Sequence, residues 1–242
     1  MRLLHLGALL AALSIQLSHA VEDEATKALQ DARAFADSGQ HAKALERHEW
    51  YHENALRIDP AEYGVRLSFA LSDWKELADK YPPALASLKA IRDRDAKALE
   101  DGTAEATLFN DVLSINETLG EDPSTIALFK RLDAKQPALA QNCFLYARED
   151  LLAQGDADLF TKYAGDFITY LTEEIARHND AARIYKEQKL AMVEELIEDS
   201  KETLITTTLQ LADMAAKQGH ADTATKLKEL TFKSFPDPRL KP

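Results

Sequence analysis

The sequence predicts an all-α chain built from antiparallel helix pairs, and three observations carry that prediction. Apolar residues recur at spacings of three and four through nearly every segment beyond the first twenty residues. Almost no segment alternates apolar and polar residues as a half-buried strand does. Glycine, proline and aspartate fall where one helix must close and the next must open, because glycine accepts the left-handed turn at a helix C-terminus and proline is tolerated in a first turn. The 242 residues include 29 Lys and Arg against 41 Asp and Glu, 45% hydrophobic residues and a single Cys. This is the make-up of a globular chain, not of a disordered, collagenous or disulfide-stapled one. A net charge of −12 opposes binding to phosphate backbones and anionic membrane surfaces, so nucleic acid is not an expected partner.

Taken in order, residues 1–20 read as an export signal. Arg2 supplies the positive start, Leu3 to Leu17 is almost uncharged, and Ser18-His19-Ala20 places small residues where a signal peptidase reads them. Cleavage near Ala20 would leave 21–242 as one domain, periplasmic or secreted. No other run of about 18 apolar residues follows, so stable membrane insertion is not expected, and no Cys follows the cleavage point to carry a lipid. The joints fall at Ser38-Gly39, Asp59-Pro60, Pro82-Pro83, Asp101-Gly102, Gly120 to Pro123, Pro137, Gly155-Asp156, Asn179-Asp180, Gly219 and Pro236. Between 180 and 218 no breaker occurs, and Leu190, Val193, Ile197, Ser200, Leu204, Thr207, Leu211 and Met214 form a heptad seam. That seam predicts one long helix, docked along a neighbour within the chain or paired with a second copy in a homo-oligomer. Cys143 lies in an apolar helical pattern and reads as a buried, inert thiol.

The joints recur close to a 34-residue period, and the step from Gly120 to Pro137 equals that from Gly219 to Pro236. In the C-terminal stretch Ala212, Gly219, Ala224, Thr231 and Pro236, and in the N-terminal stretch Ala32, Gly39, Ala44, Ala55 and Pro60, fall in a shared order. That order is small residue, turn glycine, small, small, proline, and it resembles the tetratricopeptide repeat (TPR). The resemblance implies a TPR-like α-solenoid over 21–242, with short side chains where helix axes cross closely. The N-terminal unit carries four extra residues between Ala44 and Ala55, about one helical turn, which keeps the same face buried. The middle units, around Ala106 to Pro137 and Gln141 to Tyr170, keep the period but place Leu113, Thr125 and Arg148 at positions the repeat keeps small. The stretch from Arg47 to Asp95 is similar to a group of exported bacterial repeat proteins to which no activity is attached. The repeat resemblance implies a concave surface for a protein or peptide partner and no catalysis.

One motif points elsewhere. His48-Glu49-Trp50-Tyr51-His52 fits HExxH, in which two His on one helix face share a zinc ion and the Glu acts as general base on its bound water. This gives an alternative, a zinc-dependent hydrolase with ligands His48 and His52 and base Glu49. The flanks are charged (Glu46, Arg47, Glu53), no His follows six positions on, and the third ligand would have to be something like Glu76. The helical period gives a different reading of the same residues. Leu45, His48, His52, Ala55 and Leu56 make one buried stripe, and buried imidazoles need hydrogen-bonding partners. Arg66 and Asp73, seven apart, are expected on one face of the next helix as those partners. His48, His52, Arg66 and Asp73 thus form one predicted polar cluster, either satisfied inside the core or lining a ligand or metal pocket, with Trp50 about 200° round from His48 as an interface anchor or a residue packed under the preceding helix. Arg92-Asp93-Arg94-Asp95 and Glu194-Glu195 read as solvated faces, and Asn116-Glu117-Thr118 is a glycosylation sequon inside a helix. No cofactor is expected beyond the zinc alternative.

Overall fold

The computed structural model describes residues 24–188 and 192–241, so the expected export signal and Leu190 of the heptad lie outside the described residues. Among the described residues the chain is all-α, with twelve α-helices and no strand. It divides into two compact units, Met1–Leu139 and Ala140–Pro242. The first holds α1 (residues 24–37), α2 (His41–Ile58), a 3-10 turn (Pro60–Glu62), α3 (Tyr63–Leu67), α4 (Phe69–Ala78), α5 (Pro82–Glu100), α6 (Thr107–Leu119) and α7 (Pro123–Lys135). Helix α8 (Pro137–Gln154) begins just before the division. The second unit continues with α9 (Ala157–Ala164), α10 (Phe167–Gln188), α11 (Val193–Lys217), α12 (Ala221–Ser234) and a 3-10 turn at Pro238–Leu240.

Most expected joints are real. Prolines 82, 123 and 137 open α5, α7 and α8. Gly120 closes α6 at φ 68°, and the amide of Glu121 returns to the carbonyl of Asn116 at 2.8 Å, satisfying an end carbonyl that the helix leaves free. Two expectations fail. Asn179-Asp180 lies inside α10, because neither residue demands a positive φ and each lowers helix propensity only modestly. The break falls instead before α11, where Met192 takes φ 60°, so 180–218 is not one helix. Its seam is used within the unit: α10 packs on α11, Leu204, Leu211 and Met214 are buried, and Ser200 meets His178 Nδ1 at 2.8 Å. The second failure is at Ser68. Its backbone (φ −125°, ψ −90°) ends α3 before α4 begins, and its hydroxyl donates to the Gly64 carbonyl at 2.7 Å. Arg66 and Asp73 therefore do not share a helix.

Helices pack mainly against their sequence neighbours, as α4 does on α5, α5 on α6, and α11 on α12. Ala32, Ala44 and Ala55 are fully buried in the first unit, and Ala212 and Thr231 in the second. The Thr208 and Thr231 hydroxyls meet at 2.8 Å between α11 and α12, where only short side chains fit. Cys143 is fully buried, and burial pushes its thiol up to about 12. One core of the first unit gathers Ala44 of α2, Leu71, Trp74 and Leu77 of α4, Leu88 and Ile91 of α5, and Ile115 of α6. Trp74 is 2% exposed and donates its indole N–H to the Ala84 carbonyl at 3.1 Å. Trp74→Ala should lower unfolding free energy in urea by roughly 3 to 5 kcal/mol with helical content retained; a loss under about 1 kcal/mol would show that this indole is not the core's centre.

Candidate functional site

The face of α2 that meets the core carries Ala44, His48, Tyr51, His52 and Ala55, the spacing expected of one helical stripe. Both imidazoles of HEWYH are therefore buried, His48 at 1% and His52 at 4% exposure. They do not face a common point. The indole of Trp74 stands against both, stacked on His48 at 5.5 Å between ring centroids and edge-on to His52 at 6.0 Å. On the His52 side lies a buried ionic cluster. Arg66 of α3 donates from Nε to the His52 carbonyl at 2.7 Å, its Nη2 lies 2.9 Å from His52 Nε2, and the same nitrogen pairs with Asp111 of α6 at 2.7 Å. Asp95 of α5 completes the group at 4% exposure and accepts from Arg94 at 2.8 Å. His52, Asp95 and Asp111 bring their ligand atoms within 4.8 Å of one another.

On the other side of Trp74, His48 lines a cavity of about 240 Å³ between α1, α2 and α4, together with Arg33, Asp37, His41, Asp73, Glu76 and Lys80. Asp73 accepts from Arg33 Nε at 2.6 Å and makes its pair there, not with Arg66. The expected single cluster of His48, His52, Arg66 and Asp73 is thus two clusters: His48 with Asp73 and Arg33, and His52 with Arg66, Asp95 and Asp111. The division follows from the break at Ser68, which turns Arg66 and Asp73 toward different neighbours. Trp50 is half-buried and packs against the cluster of Ala25, Leu29, Tyr51 and Ala55, under α1. Glu49 accepts a hydrogen bond from Ser87 of α5.

Three participants were not legible as site residues. Asp95, read as solvated, is buried, because it occupies the stripe Leu88, Ile91, Asp95, Leu99 of α5. Asp111 likewise sits among Phe109, Val112 and Ile115 on α6. A carboxylate inside an apolar stripe was the available signal for both. Arg33 carried no signal. Asn116 of the sequon is 1% exposed and donates to Thr125 at 3.0 Å, so it is a core amide.

The electrostatics set what the site can do. Burial pulls His48 down to about 4, with Asp73 opposing and Arg33 assisting. Burial, then Arg66 and Arg94, pulls His52 down to about 3. Both are neutral imidazoles at pH 7. The donor set His52, Asp95 and Asp111 has the chemistry of a metal site, yet the Arg66 guanidinium is within hydrogen-bonding distance of two of its members. Arg66 is already the counterion of Asp111 and Arg94 that of Asp95, and a further cation among them would be repelled. The residues present do not fit zinc without expelling Arg66. Among the described residues the group of three metal-capable donors takes in His52 and not His48.

Acid sensitivity follows with a definite sign. Between the ordinary value of 6.5 and the folded values near 4 and 3, the unfolded chain binds protons that the folded chain refuses. Stability is complete above pH 6.5 and falls as pH drops through that window, with His178, also lowered by burial, adding to the effect. Paired carboxylates contribute in the same direction only below about pH 4.5. Thermal melts from pH 7.5 to 4.5 should show a falling Tm in the wild type and a shallower fall in His48→Gln. A flat wild-type profile would contradict the burial of neutral imidazoles.

No described helix is long and apolar enough to cross a membrane. No family model matches the chain, and no curated protein matches it.

Proposed function

We propose that the chain is an exported, TPR-like binding module for a protein or peptide partner, and that HEWYH is a structural motif rather than a zinc centre. One observation carries the reading. The first helices of two successive pairs, α1 of α1/α2 and α4 of α4/α5, leave an open polar cavity between them, with His41 and His48 of α2 completing its lining. A stack of helix pairs presents its groove along such first helices, each contributing one row of side chains. The small buried residues at the crossings of α1/α2 and α11/α12 support the repeat reading, and the acidic charge of the chain favours basic or neutral partners. The export assignment rests on the pattern of residues 1–20.

The competing zinc hydrolase needs His48, His52 and Glu49 to converge on one ion and its water. The contacts of these side chains speak against it: His52 is engaged by Arg66 and Glu49 by Ser87. Purification of the tagged, exported chain from periplasmic extract should bring down a partner in fixed stoichiometry, and the preparation should hydrolyse no peptide. Chelator-sensitive hydrolysis that disappears in Glu49→Gln would reverse the assignment.

A further inference from the structure

We infer that a groove in the second unit, between α8 and the α10/α11 pair, docks an amphipathic helix of a partner protein that carries Lys or Arg along the edges of its apolar face. The inference deepens the binding-module reading and rests on it, at a surface other than the α1–α4 cavity. The groove holds a cavity of about 370 Å³ to which each of the three helices contributes one row of side chains. On α10 the row is Tyr170, Glu174, Arg177 and Ala181, and the same spacing of four and three carries it on to Ile184. On α11 the row Ser200, Thr203 and Thr207 runs back by that spacing to Leu196. On α8 Leu145 and Leu152 stand two turns apart on one face. Leu145, Ile184 and Leu196 are exposed large apolar side chains, one on each row. Exposed apolar residues scattered singly need no explanation, whereas three gathered on one groove mark an interaction surface.

Shape and charge name the occupant. From Tyr170 to Ile184 the α10 row spans about 21 Å, the length of about four helical turns. The walls are helices whose main-chain groups are engaged within themselves, so the groove offers no edge to an extended strand. What it offers is side-chain packing, which an amphipathic helix supplies with apolar residues at three-and-four spacing. The cations of the groove are already committed: Arg148 and Arg177 both pair with Glu174, at 3.1 and 2.7 Å, and Arg177 also reaches Glu173. Glu149 of α8 has no ion-pair partner among the described residues, and neither do Glu195 and Asp199, which flank the α11 row on the side opposite Ile197 and Leu204. The charge left over is acidic, in a chain of net charge −12, and it complements a basic helix and repels an acidic one. A second copy fits less well, because its own exposed α11 row is bordered by the same carboxylates.

The full chain is titrated, with fluorescence anisotropy as readout, into three labelled and stapled peptides of about four helical turns. One is a Leu/Lys helix with a single apolar face, one a Leu/Glu helix of the same pattern, and one a Leu/Lys scramble without that face. Saturable one-site binding of the first alone is expected. Leu145→Ser/Leu196→Ser should weaken it about tenfold or more, since two anchors are lost. Glu149→Gln/Glu195→Gln/Asp199→Asn should weaken it and flatten its salt dependence. All these positions are exposed, so the fold is retained, and Phe69→Ser, which removes an exposed ring from the first unit, should leave binding unchanged. Absence of saturable binding, equal binding of the Leu/Glu helix or the scramble, or an equal loss in Phe69→Ser would overturn the inference. So would a dimer in sedimentation velocity that the leucine variant dissociates, since a second copy would then be the occupant. A partner from periplasmic extract that the leucine variant still retains would overturn it too, while leaving the module reading intact.

Discussion

The first unit depends on one buried guanidinium. Arg66 is 7% exposed, and its contacts reach the backbone and imidazole of His52 on α2 and the carboxylate of Asp111 on α6. A charge so placed is costly unless paired and hydrogen-bonded, so the positions of α2, α3 and α6 are coupled through it. The short α3 makes this possible. Because the chain breaks at Ser68, Arg66 is directed to its partners independently of α4, whose Trp74 then fills the core beside it. A continuous helix through this region would place Arg66 and Asp73 on one face and leave Asp111 buried without its counterion.

Trp74 gives that arrangement its functional consequence. It lies against both imidazoles and assigns each to a different neighbourhood. His52 becomes an acceptor in a closed ionic cluster whose cation is Arg66, and His48 becomes the wall of an open cavity beside the Arg33–Asp73 pair. A five-letter match to a zinc motif therefore coexists with a helix whose two histidines have separate tasks. The spacing that would place both ligands on one metal also places both on a buried stripe, and the partner helix decides between the outcomes.

Much of this fold was legible in the sequence because its signals are local. Gly39, Gly120, Gly155 and Gly219 mark real helix ends, and the prolines at 82, 123 and 137 mark real starts, since these residues act through their own backbone restrictions. The breaks at Ser68 and at Met192 were hidden because serine and methionine impose no such restriction. The site was half legible. Burial of His48 and His52 follows from period alone, whereas their partners come from elsewhere: Arg33 from α1, Asp95 from α5 and Asp111 from α6. Periodicity along one helix carries no information about which distant charge will face it. Asp95 and Asp111 nevertheless left a trace, as carboxylates standing where their helices are otherwise apolar.

The central claim is that Arg66 and Asp111 stabilise the unit as a coupled buried pair, and a double-mutant cycle tests it most directly. Urea unfolding of Arg66→Met, Asp111→Asn and the double variant would be compared with the wild type. The account predicts that each single change costs about 3 to 5 kcal/mol, because each strands a buried polar partner, and that the double variant loses much less than the sum. Additive losses, or single losses under about 1 kcal/mol, would contradict it and would mean that the guanidinium is solvated rather than locked among α2, α3 and α6.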